Sequence, residues 1–157
     1  MTFSQEAQLV NCLVPVADYQ NGDPASDVVS MAECDKGIFI LYTGANASGD
    51  AVITVESCDD TTPTTATAIP FHVTKYETSG SDVASASYAA VAATGFTTSQ
   101  TANVFYVIEV SAADLYGTDK YVRLKVTENT DNAVAGGAFF IGLKTRYKES
   151  TMDTAIA

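Results

Sequence analysis

Apolar and polar positions alternate with a period of two along much of the chain. "YVRLKVTE" (121–128) is the clearest case, with Val122, Leu124 and Val126 on one face and Tyr121, Arg123 and Lys125 on the other. That is the pattern of a half-buried strand. "AVITVESC" (51–58) repeats it, with Ile53 and Val55 opposed to Thr54 and Glu56. "KGIFILYTG" (36–44) differs. Ile38, Ile40 and Tyr42 share one face and Phe39 and Leu41 the other, so both faces are apolar and the pattern predicts a strand covered on both sides. Further strands are predicted over 9–16, over "DVVSM" (27–31), over "ATAIPFHVTKYE" (66–77) as one strand, and over "VFYVIEV" (104–110). The last is "AVAGGAFFIGLKTRY" (133–147), whose glycines allow a bulge or a close backbone approach.

Turn chemistry separates these segments. "NGDP" (21–24), "GANASGD" (44–50) and "DDTTPTT" (59–65) carry the residues that accept tight backbone geometry. Pro15 cannot donate to a ladder and so suits an edge strand or a strand end. Residues 79–103 contain enough alanine for a helix but lack a 3.6-residue apolar period, and short extended pieces are expected around Tyr88–Val91 and Gly95–Phe96. "SAADLYG" (111–117) predicts a single helical turn, with Ser111 as N-cap and Gly117 as terminator. Many short strands with almost no helix point to an all-β fold: a single antiparallel β-sandwich, with a jelly roll among the windings that fit. The expected organisation is an N-terminal arm over 1–8, the sandwich over 9–147 and a C-terminal tail over 148–157.

Composition narrows the function. The 157 residues carry 19 acidic and 8 basic side chains, a formal charge of −11. Nucleic acid and anionic membrane are disfavoured as partners, because both need clustered Lys and Arg. Acidity favours solubility or attraction to a basic protein partner. Charged residues make up only 17% of the chain, against about 25% on average, and Thr, Ser and Ala take their place. The opening "MTFSQEAQLVNCLVPV" has neither the basic nor the continuous apolar region of a secretory signal. No apolar run reaches the length of a membrane span. Cys12, Cys34 and Cys58 are odd in number and lack C-x-x-C spacing, so buried thiols in a reducing compartment are expected, without a metal.

No motif announces catalysis. Asp59-Asp60 begins no calcium-loop pattern, and adjacent carboxylates on extended chain point apart. A turn is the first reading of the pair and a weak calcium site the alternative. His72 is expected on the face of its strand opposite Phe71 and Val73, and no G-x-S-x-G elbow frames a nucleophile for it. No catalytic residue, cofactor or metal is assigned. Tyr42, Tyr76, Tyr106 and Tyr121 fall on strands and read as core or cross-strand residues. Tyr19, Tyr116 and Tyr147 fall in turns or the tail, where an interface explains an aromatic better.

The order of the phrases "SDVVSM", "GIFILYTGA", "ITVESCDD", "TAIPF", "GFTT", "YVIEVSAADL", "YVRLKVTE" and a closing "RY" resembles a family of small tailed-bacteriophage structural proteins. The likeness runs from about Leu9 to Tyr147. It implies a non-enzymatic virion protein made in the bacterial cytoplasm, of the head decoration or cement type. Such a protein binds the major capsid protein on the outer head surface and joins neighbouring capsomers, as a homo-oligomer with a trimer favoured. A head–tail or tail-associated protein, or a small receptor- or glycan-binding β-domain, is the alternative. The family transfers no residue roles. The contact residues expected from the sequence itself are the apolar run Leu9, Val10, Leu13 and Val14, the aromatics Tyr19, Tyr116 and Tyr147, and the cations Arg146 and Lys148. The competing reading of the run 9–16 is that it completes the chain's own sandwich.

Overall fold

The alternating segments pair into two antiparallel sheets whose apolar faces meet. The computed structural model describes residues 7–77 and 82–144. Among them lie β1 (Ala7–Val16), β2 (Val29–Ser30), β3 (Cys34–Asn46), β4 (Asp50–Cys58), β5 (Ala66–Ile69), β6 (Phe71–Tyr76), β7 (Ala86–Val91), β8 (Phe96–Thr97), β9 (Phe105–Ser111), β10 (Tyr121–Thr130) and β11 (Val134–Lys144). Sheet A runs β1-β11-β3-β9-β6-β7, and sheet B runs β2-β10-β4-β5 with β8 added on β4. The fold is the expected all-β sandwich. First pairs with last (β1 with β11) and second with second-last (β2 with β10), while β3 and β4 take the other sides of β11 and β10. This nesting is the winding of a jelly roll, widened where β9 enters between β3 and β6.

The core follows the alternation. Val122, Leu124 and Val126 of β10 and Ile53 and Val55 of β4 are fully buried, facing Phe39 and Leu41 of β3 and Phe140 of β11. The rings of Phe39 and Phe140 pack at 4.9 Å between centroids, and Phe96 bridges from sheet B to Phe71 and Tyr106 of sheet A at 6.1 and 5.3 Å. Buried polar side chains fasten the connections. Ser26 Oγ accepts from the Leu124 amide, and Ser57 Oγ accepts from the Tyr116 amide while donating to Asp119. Gln20 donates to the carbonyls of Thr130 and Asn132 and so holds the β10–β11 turn. Asn46 closes the β3–β4 turn through Gly49, whose amide and carbonyl it engages at 2.8 and 3.1 Å. A Cβ at Gly49 would lie 2.7 Å from Gln20 Nε2 and run into the Asn132 carbonyl, so only glycine fits.

Four expectations are corrected. "ATAIPFHVTKYE" is not one strand: Pro70 divides it, β5 pairing in sheet B and β6 in sheet A. A residue without an N–H cannot stay in a ladder, and the chain changes sheets there. β1 begins at Ala7, so Ala7 and Gln8 pair with Leu143 and Gly142 and belong to the sheet rather than to an arm. The turn after β9 is a 3₁₀ turn over Ala112–Asp114; Ser111 caps it as expected, but it ends at Leu115 and Gly117 lies beyond it. β3 is not covered on both sides by the described residues. Its Phe39 and Leu41 face the core; on the other face Ile40 is buried and Ile38 half-buried by neighbouring side chains, but Tyr42 is 53% exposed.

The core assignment generates a stability prediction. Leu124→Ala should lower the unfolding free energy by about 2–5 kcal/mol through the cavity it leaves, with an unchanged β-type circular dichroism spectrum. Urea titration measures it; a loss well below 1 kcal/mol would contradict the central position of Leu124.

Candidate functional site: an uncovered apolar sheet face

The two outward faces of the sandwich differ in chemistry. On sheet B, β10 and β4 turn outward Tyr121, Arg123, Lys125, Thr54 and Glu56, as their registers require, and Arg123 pairs with Glu56 at 2.6 Å. That is an ordinary solvated face. On sheet A the register aligns Leu9, Ile141 and Ile38 in one row and Phe139, Ile40 and Val107 in the next. A third row aligns Gly137, Tyr42, Phe105 and Tyr76. Its rings stand edge to face or tilted, at 6.0 Å for Tyr42–Phe105 and 5.7 Å for Phe105–Tyr76. Such rows are the cross-strand pairs that stabilise a sheet. Here Leu9, Tyr42 and Phe139 are exposed, Ile38, Ile141, Val107, Phe105 and Tyr76 are half-buried and Ile40 is buried among them, so the face is apolar and partly in contact with water.

Charge is scarce on this face. The outward strand positions of β3, β9 and β6 carry Lys36 and Glu109, which pair at 3.3 Å, and His72. His72 stacks on Tyr88 at 4.2 Å with the rings nearly parallel, and the Lys36 ammonium sits 5.9 Å from the centroid of the same tyrosine. The sequence expectation for His72, opposite the buried Phe71 and Val73, holds.

A groove of about 810 Å³ opens beside the aromatic row. Pro15 and Val16 of β1 form one wall and Tyr42, Phe105 and Phe139 the other, over a floor of Gly44, Ala135, Gly136 and Gly137. The small residues make the depression. β1 bends twice where its register against β11 shifts, and at Gly137 it comes so close that a Cβ would lie 2.7 Å from Pro15 Cα. Pro15 is on an edge strand, as expected for a residue that cannot donate to a ladder.

The expected contact residues separate. β1 completes the chain's own sandwich, the competing reading of that run. Leu9 and Val14 are exposed on it, whereas Val10 is a core residue at 5% exposure and Leu13 packs partly against the core. Tyr19 is likewise corrected: it is 1% exposed, inside the core, and burial pushes its hydroxyl up to about 12. Tyr116 is exposed on the loop before β10, as expected. Arg146, Tyr147 and Lys148 lie outside the described residues. Tyr42 and Tyr76 pair across strands with Phe105, within the core or cross-strand role expected of them. Sequence reasoning missed the exposure of Tyr42 and Phe139; the doubly apolar "GIFILYTG" carried the signal for Tyr42, but the same pattern also fits a strand covered on both sides.

The remaining chemical candidates have structural explanations. Asp60 accepts from the Thr62 amide at 2.9 Å and the Thr61 hydroxyl at 3.1 Å, the Asx-turn reading of the pair. The Thr62 amide leads in holding its carboxyl below the usual range. Among the described residues no group of three or more His, Cys, Asp or Glu is arranged to hold a metal ion. All three cysteines are buried thiols, as expected. Burial pushes Cys12 up to about 12 and Cys58 to about 11. Compared with known protein families, curated proteins and solved structures, the chain matches none.

Two outcomes follow from these environments. With thiolate suppressed and access closed, Cys12 and Cys58 should resist alkylation in the native protein at about pH 8 and react only in denaturant; rapid native labelling counted by mass spectrometry would refute their burial. Asp50 concerns stability against pH. The Thr130 hydroxyl, with the amides of Asn129 at 3.0 Å and Gln100 at 3.3 Å, holds its carboxyl below the usual value. A depressed carboxyl contributes stability above its unfolded pKa and loses it as pH falls through the folded one. Asp50→Asn should therefore destabilise by about 1–3 kcal/mol near neutrality, a deficit that shrinks in acid. An equal deficit at both pH values would show that the charge plays no part.

Proposed function

We propose that this chain is a non-enzymatic virion structural protein, a decoration or cement protein that binds the outer surface of a tailed-phage head and joins neighbouring capsomers. The apolar face of sheet A carries the reading that this chain works assembled, against further copies of itself or other proteins. Apolar faces of this extent on a soluble sandwich mark surfaces that another macromolecule covers. The order of strand phrases shared with small phage structural proteins supplies the class of assembly. A rigid sandwich is a suitable body for a lattice protein, since modest contacts repeated over a symmetric shell add up. The partner in this reading is the major capsid protein, whose basic surface would meet the acidic remainder of the molecule. Buried thiols fit synthesis in a reducing bacterial cytoplasm before assembly on the virion.

The aromatic row beside the groove favours one second reading, a small receptor- or glycan-binding domain on the virion, because ring faces stack on the apolar faces of sugars. A head–tail or tail-associated position has no observation of its own in its favour.

Purified protein mixed with expanded, undecorated heads should co-sediment with them and saturate at a copy number fixed by the lattice. Cryo-EM of those particles should place it at symmetry-related positions on the outer surface. Absence of saturable binding, together with saturable binding to a glycan array, would replace the first reading by the second.

A further inference from the structure

The occupant of the sheet A face can be argued from its charge, its relief and its size. A basic partner is recognised by acidic groups, yet this face carries almost none of the 19 acidic residues, and its one glutamate, Glu109, is matched by Lys36. The face is close to neutral on a molecule of charge −11. Two copies can meet here without opposing like charges, which the acidic surface elsewhere would bring together. The aromatic row Tyr42–Phe105–Tyr76, with Tyr42 exposed and Phe105 and Tyr76 half-buried, borders the groove lined by Gly136 and Gly137, and a two-fold axis between row and groove would seat each copy's row against the other's groove. The rows span five strands about 4.8 Å apart and about five residues long, a flat footprint on the order of 300–400 Å², below the ~800 Å² per partner of a standard interface. That size suits a reversible pair.

We infer that the outer face of sheet A binds a second copy of this chain, the aromatic row of each copy, led by the exposed Tyr42, seated against the groove of the other. The inference deepens the assembly reading above and rests on it for its purpose. Pairing through sheet A leaves the polar sheet B face and the acidic loops of both copies outward, so one pair offers two identical binding surfaces and can bridge two capsomers. It also differs from the trimer that the family resemblance implies, since an isologous face closes in twos.

Sedimentation velocity and light scattering of the full chain test this. The expected result is a monomer–dimer equilibrium that tightens as salt is raised, because screening relieves repulsion between two bodies of charge −11 while the contact itself is uncharged. Tyr42→Glu and, independently, Phe139→Lys should each raise the dissociation constant by at least about tenfold. Both residues are exposed, at 53% and 37%, so circular dichroism and melting temperature should hold. Thr127→Ala, a neutral change on the outer face of sheet B, should leave pairing unchanged. A monomer at every concentration, an oligomer indifferent to both sheet A substitutions, or association that weakens with salt would overturn the proposal. A protein that stays monomeric yet decorates heads would sink this inference alone, whereas one that pairs through sheet A but never binds heads would sink only the functional reading.

Discussion

Burial of one face of β3 and β11 against β4 and β10 constrains everything else in this molecule. Phe39, Leu41 and Phe140 meet Ile53, Val55, Leu124 and Val126, all removed from solvent. Side chains alternate strictly along a strand, so fixing which residues point inward fixes which point outward. A slip of one residue would exchange the two sets. In β10 and β4 that exchange would bury Arg123, Lys125 and Glu56, and the desolvation of three charges forbids it. The register of sheet B is thereby locked by chemistry. In β3 both sets are apolar, and the register is held instead by its neighbours β11 and β9 and by the ring packing of Phe39 on Phe140.

Polar side chains fasten the connections of the sandwich. Gln20, Ser57 and Asn46 satisfy backbone groups where the chain passes between the sheets, and Ser26 accepts from the Leu124 amide within β10. Buried backbone groups need such partners wherever the ladder stops. Glycines at Gly49 and Gly137 let chains approach where a side chain would collide. The same close approach of β1 to β11 at Gly137 lies beside the groove on the outside of sheet A.

The outer faces then explain one another. Sheet B is amphipathic and faces water at little cost. Sheet A fills its outward positions with aromatic and aliphatic side chains, so apolar surface there meets water. Low charge on that face and negative charge elsewhere give one small domain two chemically distinct surfaces.

The sequence alone was enough for the fold class, the strand phrases, the inward sets Val122–Leu124–Val126 and Ile53–Val55, the outward position of His72, the Asp60 turn and the Ser111 cap. Each of these rests on local chemistry: a period of two, a short side chain that bonds to its own backbone, or a charge that must stay wet. Tertiary structure decided the rest. Whether the strand over 9–16 offers its apolar run to a neighbour or completes the chain's own sandwich depended on β11, which lies at the far end of the chain. Tyr19 looked like a turn aromatic until the sheets closed over it. The row Tyr42–Phe105–Tyr76 joins three segments that no local pattern connects. Periodicity tells which residues share a face, but strand neighbours are chosen by global packing, and so is the presence or absence of a layer above that face.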